Sequence, residues 1–450
     1  MAKDKRDPKE VRKLQQAGIV KINKQGIPEI DASRLDGLPT SNNKLHDPRR
    51  DVGKRRYPET EVIVPPSTEK PSSPPEPDLE GELVEKKVIL PPGMRKQDLL
   101  NKKFEKKEFT MSEEEVPKGV GLDVGTSFLV AGRFEKDGNV HFKKMRDCFL
   151  ELEPKSPINK KFIKKGLDDR KAPYIEKEGS FYVLGEDAFL MANERHVNTR
   201  RPMHRGVLAP KEKEAFPILK ELIGRLVGEP RQKNERLVFS VPGKPIDAEF
   251  DQLFHQDMIR SFIAGMGYNA VPMNEAEALA YSELIEDGLT GIAVSAGAGM
   301  MNVAVLSSGD SVVAFSTSKS GDWVDQQAAI ATNNTHSIVQ QEKESPELDL
   351  MNPDPSNQIH QAISVYYGNL LVYTLEQIAY DLSRSSALPK FKDPIPLIVG
   401  GGTSLPRGFI QKFEQALGAV NMPVSVSEVR HAEDPLHAVS NGLTLAATME

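Results

Sequence analysis

Two short glycine-containing segments carry the residues best suited to chemistry. The first reads Gly121-Leu122-Asp123-Val124-Gly125-Thr126-Ser127, the second Ser295-Ala296-Gly297-Ala298-Gly299-Met300-Met301. Each lies between apolar runs that alternate as strands do, so each reads as the turn of a hairpin. Such a turn aligns successive backbone N–H groups on one point and forms an anion nest. Gly125 lets the backbone come close to a phosphate. Thr126 and Ser127 add hydroxyl donors, and Asp123 can hold the waters of a hydrated Mg²⁺ ion, which gives them up reluctantly. Alone, Asp-x-Gly-Thr describes an ordinary tight hairpin equally well. A second loop changes the reading, because two loops on two halves can clamp one phosphate chain. The two are unequal: Ser295 stands where a carboxylate like that of Asp123 is expected.

The elements that must hold these loops alternate between strand and helix. Val120, Leu122 and Val124 alternate before the first turn, Phe128, Leu129 and Val130 follow it, and Val140 to Phe142 gives a further strand. Residues 150–205 are mixed, basic and less periodic, as in a small inserted subdomain. Phe216, Ile218, Leu219, Leu222 and Ile223 have helical spacing, and Leu237 to Val241 is a buried strand stopped by Pro242. Phe250, Phe254, Met258 and Phe262 recur as one helix face. Ala270-Val271 is a short strand, and Glu275 opens an alanine-rich helix. A second hairpin-and-helix series starts at Gly291. Pro396 to Val399 runs into Gly400-Gly401-Gly402, followed by a helix from about Leu405. Strands alternating with helices predict an α/β class. The repeated strand-hairpin-strand opening predicts an internal duplication.

Composition bounds the rest. The chain has 450 residues, a formal net charge of -6 and a single cysteine, Cys148. That length allows two or three domains. The near-balanced charge implies no bulk affinity for nucleic acid, and no specific nucleic-acid signal is found. One cysteine allows no disulfide within the chain and fits a reducing compartment. No apolar segment follows the charged N-terminus and no run matches a membrane span, so a soluble cytoplasmic protein is expected. Residues 1–115 are rich in Lys, Glu, Pro and Ser, with proline clusters at Pro65-Pro66 and around Pro74-Pro75. They bury too little apolar surface to offset ordering entropy and read as a disordered tail. Its basic stretches, such as Arg49-Arg50 and Lys54-Arg55-Arg56, suit a solvated tether or a docking arm for an unknown protein, an anionic membrane surface or nucleic acid, with no diagnostic motif for any of them.

The ordered part resembles the actin and heat-shock-chaperone ATPase superfamily, most closely the MreB-type bacterial actins. Gly121 to Ala131 is similar to the first phosphate loop of that family, and Ser295 to Val305 to the second. Arg201-Pro202-Met203-His204-Arg205-Gly206-Val207, Leu237 to Pro242, Asn274 to Ala278, Gly321-Asp322 with Asp325, and Asp434 to Val439 with Gly442 resemble further motifs in family order. Gly400-Gly401-Gly402-Thr403-Ser404 is similar to the adenosine loop, and Gln341 to Glu344 to an adenosine-contacting helix. The resemblance covers residues 117–448. It implies an actin-like ATPase fold with two duplicated α/β domains around a nucleotide cleft: 116–290 plus 426–450, with an insertion at about 150–205, and 291–425, with a short insertion at about 333–357. It implies ATP and Mg²⁺ as cofactors. Gly125, Thr126, Ser127, Gly297, Ala298, Gly299 and Met300 would bind phosphate, and Gly400, Gly401, Gly402, Thr403 and Ser404 the adenosine. Asp123 would face the metal through water and Ser295 would do so weakly. Glu275 would orient the attacking water and accept its proton.

The departures cluster in the second loop. The family usually has Asp, a glycine run and a polar pair there, whereas this chain has Ser295, Ala298, Met300 and Met301. A hydrogen bond to a charged group is worth roughly 1.5–3 kcal/mol, so weakened Mg-nucleotide binding or slower hydrolysis is expected. Met300 and Met301 suit packing against the other half, a neighbouring subunit or the core. Ala276 replaces a frequent proline. Three functions follow: an ATP-binding actin that self-associates head to tail into filaments, a degenerate non-hydrolysing scaffold that recruits partners, and a small-molecule kinase of the same superfold.

Overall fold

The computed structural model describes residues 111–112, 115–249 and 252–449, and the backbone of residues 20–22 and 28–30. In that last pair, β1 (Val20–Ile22) and β2 (Pro28–Ile30) form an antiparallel hairpin. The rest of the expected disordered tail lies almost entirely outside the described residues.

Two five-stranded sheets share one topology. The first contains β3 (Val120–Val124), β4 (Phe128–Phe134), β5 (Val140–Arg146), β11 (Arg236–Val241) and β12 (Asn269–Asn274) in the order β12-β11-β3-β4-β5. The second contains β13 (Gly291–Ala296), β14 (Met301–Ser307), β15 (Asp310–Thr317), β16 (Ile395–Gly400) and β17 (Val426–His431) in the order β15-β14-β13-β16-β17. In each, three strands run as an antiparallel meander and two more join in parallel. The identical order is the duplication expected from the repeated hairpins. It places the two glycine loops at equivalent corners, β3 to β4 and β13 to β14.

Between β5 and β11 the chain adds a three-stranded sheet, β6 (Phe149–Leu152), β7 (Tyr174–Lys177) and β8 (Ser180–Leu184), in the order β6-β8-β7. Helices α1 (Pro157–Arg170) and α2 (Gly185–Glu194) accompany it. Helices α3 (Ala215–Val227) and α4 (Gln252–Gly265) cover the outer face of the first sheet. Helices α6 (Gly321–Thr332), α8 (Gln358–Arg384) and α9 (Phe409–Ala419) cover that of the second. Two more helices, α5 (Glu275–Glu283) and α10 (Ala438–Thr448), share a core with residues of both sheets. Their facing residues are small, Ala276, Ala278 and Ala280 against Ala438, Gly442 and Ala446. Small side chains let helices pack closely, and this seam joins the halves.

Three expectations need correction. On α4 the fully buried stripe is His255, Ile259 and Ile263, one position on from the expected one; Phe250 lies outside the described residues, Phe254 is exposed, and Met258 and Phe262 are half-buried against the same core. Residues 426–431 belong to the second sheet as its edge strand, not to the first domain; the return to the first half comes after His431. The helix expected from Leu405 starts at Phe409, because Gly402–Ser404 makes a single 3₁₀ turn and Gly408 takes a left-handed conformation as the cap.

Candidate functional site

The two glycine loops meet at a cavity of about 920 Å³ between the halves. It is lined by Asp123 to Phe128, by Glu275, Ser295 and Gly297 to Met300, and by Gly401, Gly402 and Thr403. Of the expected adenosine loop, Gly400 and Ser404 do not line it. A side chain at Gly400 would meet Leu279, and the buried Ser404 hydroxyl bonds the Gly401 carbonyl at 2.7 Å and His431 Nε2 at 2.9 Å. Gly401 has φ +90°, and a Cβ built on it would lie against the Ala296 carbonyl oxygen and 2.7 Å from its carbon, so only glycine fits that corner.

Local chemistry fixes each group. Asn274 ends β12 and caps α5, accepting from Ala276 N at 2.9 Å and Glu277 N at 3.3 Å. The N–H of Ala276, which a proline would lack, makes one of these bonds. Glu275 therefore sits in the first helical turn and its carboxylate enters the cavity wall. Ser295 Oγ donates to Glu275 Oε1 at 2.6 Å, and Asn302 Nδ2 donates to Glu275 Oε2 at 2.8 Å. Ser295 and Asn302 face each other in the β13–β14 register, so one hairpin grips both carboxylate oxygens. Asn302 Oδ1 in turn accepts from Gly243 N at 2.8 Å. Across the cavity, Ser240 Oγ donates to Asp123 Oδ1 at 2.8 Å while accepting from Val124 N at 2.7 Å.

Asp123 and Glu275 are both held above the ordinary carboxylate range. Burial is the main cause for each, Asp123 adds repulsion at Glu275, and the Ser240 and Ser295 hydroxyls pull the other way. Two half-buried carboxyls, both raised in this way, are a donor set that suits a cation.

The loops also touch one another. Gly206 N donates to Thr126 Oγ1 at 3.0 Å. A Cβ on Gly299 would meet Thr126 Oγ1 and lie 2.7 Å from Gly206 N. Met300, 2% exposed, packs its thioether on Gly206 in the first half, whereas Met301 lies in the core of the second. The Gly297 carbonyl accepts from Thr403 Oγ1 at 2.7 Å and from the Ser320 hydroxyl.

Helix α7 (His336–Lys343) supplies the far wall through Gln340, Lys343 and the following Glu344. Gln340 Nε2 donates to Ser127 Oγ at 3.1 Å. Lys343 is spoken for, bonding Asp325 at 2.7 Å. Arg146 at the end of β5 pairs with both Glu344 oxygens, at 2.9 and 2.6 Å, and with Glu186 at 2.8 Å. Its guanidinium lies between the rings of Phe128 and Phe189. Arg201 crosses to Asp322 at 2.7 Å and to Gln340 at 2.6 Å.

Sequence reasoning missed Ser240, Asn302, Gln340 and the Arg146–Glu344 pair. Asn302 could have been found, since a two-residue period across the second hairpin sets it opposite Ser295. The other three come from segments distant in sequence.

Two like-folded halves, joined by a pair of central helices and lined by paired glycine loops, define the actin-like fold. The family model described as Volactin matches residues 119–447, and the chain belongs to that family. Among solved structures, the chain is similar to a MamK double helical filament at 17% identity and TM-score 0.53, covering 74% of this chain and 99% of that one. It is similar to MreB 5 of Spiroplasma citri bound to AMPPNP at 17% identity and TM-score 0.50, covering 74% and 96%. At that identity the likeness speaks for the fold. No curated protein matches it in sequence. Among the described residues no helix is long and apolar enough to cross a membrane.

Proposed function

We propose that this protein is a cytoplasmic actin-like filament protein that binds ATP with Mg²⁺ in the cleft and hydrolyses it slowly. The observation that carries the reading is the convergence of Asp123–Ser127, Gly297–Met300 and Gly401–Thr403, from both halves, on one cavity. The backbone N–H groups of the two turns and the hydroxyls of Thr126 and Ser127 suit a phosphate chain. Gly401 to Thr403 suit the nucleoside. Asp123 would hold, through water, a magnesium ion brought in with the phosphates, and the charge it supplies would offset the paired carboxylates.

Glu275 is the group placed to orient a water. Its two oxygens each accept one hydrogen bond, from Ser295 and Asn302, and each keeps a further lone pair. Ser295 spends its proton on Glu275, leaving its oxygen as an acceptor from a water on the ion. The second loop brings no hydroxyl at 300 or 301, so slow turnover follows from positioning alone. The same loop favours a second reading, a scaffold that binds nucleotide and recruits partners without hydrolysis. The likeness to a MamK double helical filament supports self-association into filaments, and that to MreB 5 bound to AMPPNP supports nucleotide binding.

Titration calorimetry with Mg-ATP tests the first step, and no heat with no thermal shift would refute it. Phosphate release by wild type, Glu275→Ala and Ser295→Asp separates the two readings. An active wild type that loses turnover in Glu275→Ala supports slow hydrolysis. A silent wild type that gains activity in Ser295→Asp supports the scaffold. Pelleting with Mg-ATP over a wide concentration range tests assembly.

A further inference from the structure

Asp147 is fully buried, and neither of its carboxylate oxygens has a hydrogen-bond partner. A buried polar group without a partner needs a reason. Its backbone is firmly placed, since Asp147 N donates to the Ser127 carbonyl at 2.8 Å, directly behind the first glycine loop. Next along the chain, Phe149 and Arg200 exchange backbone hydrogen bonds at 2.8 and 2.9 Å. That short ladder sets Arg201 opposite Cys148 and beside Asp147.

Arg201 is the charged group that acts on Asp147. Its guanidinium nevertheless reaches away, across the cleft, to Asp322 and Gln340 of the second half. Asp147 and Arg201 thus belong to the same half, and the cross-cleft bonds leave the acid alone. An ionised carboxylate buried without a partner is strongly disfavoured. Burial accordingly drives the Asp147 carboxyl well above the usual range, against a weaker pull from Arg201. Of the other groups around this point, His204 faces Arg201 and Asp322 with its imidazole held below the usual range, chiefly by burial; the rest are committed or inert. Arg146 is paired with Glu186 and Glu344, and burial pushes the Cys148 thiol up to about 12. Beyond Arg201, Asp322 also feels Lys343, which is bonded to Asp325.

We propose that Asp147 is the alternate partner of Arg201, so that when the halves part the guanidinium leaves Asp322 and Gln340 and pairs with Asp147, whose proton passes to solvent. Charge balances at each end. Closed, Arg201 neutralises Asp322 and Asp147 is a neutral acid. Open, Arg201 neutralises Asp147, and Asp322 faces water at the start of α6, where the helix dipole favours an anion. The closed form holds the extra proton. It is favoured at low pH and lost as pH rises through the raised Asp147 pKa, by about tenfold in the closed-to-open ratio per pH unit. The exchange needs only the two-halved fold, so it stands apart from the nucleotide reading.

The test uses the full chain without nucleotide. Cysteines placed by Arg195→Cys and Ala331→Cys, both at exposed positions, take spin labels on either side of the cleft. Cys148 is buried and stays unlabelled. Distance distributions are then measured from mildly acid to mildly alkaline pH. The open fraction of the wild-type background should rise with pH. Asp147→Asn copies the neutral acid and should stay closed throughout. Asp322→Asn weakens the closed partner at a half-exposed site and should move the transition to lower pH. The proposal is overturned if Asp147→Asn opens with pH as the wild type does, if no protein changes with pH, or if Asp322→Asn leaves the transition in place.

Discussion

The two glycine hairpins have the same topology and opposite chemistry. The first presents its own polar groups: Asp123 held by Ser240, Thr126 accepting from Gly206, Ser127 accepting from Gln340. The second presents backbone and apolar surface. Its carbonyl at Gly297 ties down Thr403 and Ser320, its strands grip Glu275, and its Met300 lies on Gly206 of the other half. Read as sequence, the second loop looks damaged. Read as structure, it has exchanged hydroxyls for a packed contact that holds the halves together. A duplicated motif can thus split its work, one copy facing the ligand space and the other closing it.

The largest expected effect comes from wedging that contact. Gly299→Ala places a methyl against Thr126 Oγ1 and Gly206 N. Overpacking of this kind costs about 1–3 kcal/mol, which falls on closure and should weaken Mg-ATP binding by about ten- to a hundredfold. Calorimetric titration measures it. Unchanged affinity would mean the hairpins are apart when nucleotide is bound, and the comparison would collapse.

Met300→Ala asks whether the apolar exchange stabilises the protein. Removing a buried methionine side chain that bridges the halves should cost about 2 kcal/mol in urea unfolding. Met300→Thr restores a hydroxyl of the kind usual in the family and should cost no less, because its partner here is the Gly206 backbone and not water. A neutral Met300→Thr would show that the loop had merely drifted.

Glu275→Gln tests the electrostatics of the grip. Asp123 and Glu275 are both raised in the folded protein, so the stability present below each group's unfolded pKa is progressively lost as pH rises through its folded one. Wild-type stability without nucleotide should fall as pH rises from acid through neutral. Glu275→Gln removes one charge of the pair and should be the more stable protein by about 1 kcal/mol at neutral pH, with no advantage in acid. Denaturant titrations across pH would show it, and parallel curves for the two proteins would contradict it.

How much of this could be read in the chain depended on where the partners lie. The two sheets were legible because alternation, glycine turns and the repeated order are local patterns. The glycine loops were legible for the same reason, whereas Glu275 was singled out by the family resemblance; all of them line one cavity. Strand β17, Val426-Ser427-Glu428-Val429-Arg430-His431, was not, because an edge strand half open to water needs little apolar content. The face of α4 was misread because His255-Ile259-Ile263 and Phe254-Met258-Phe262 share one spacing, and only the neighbouring sheet decides between adjacent stripes. Arg146–Glu344, Arg201–Asp322 and Ser127–Gln340 span the cleft, and no spacing rule links residues whose meeting depends on how two halves close.

The smallest effect separates the polar loop's two duties. Ser127 Oγ accepts from Gln340 Nε2 at 3.1 Å, yet Gln340 also bonds Glu344 at 2.9 Å and Arg201 at 2.6 Å. Ser127→Ala therefore removes one of several cross-cleft bonds and should lower stability by only about 0.5–1 kcal/mol. If Ser127 serves chiefly as a phosphate donor, the same substitution should weaken Mg-ATP binding several-fold, an effect larger than its loss of stability without nucleotide. If the two losses are equal, the first hairpin is a closure element like the second, and the division of labour between them is wrong.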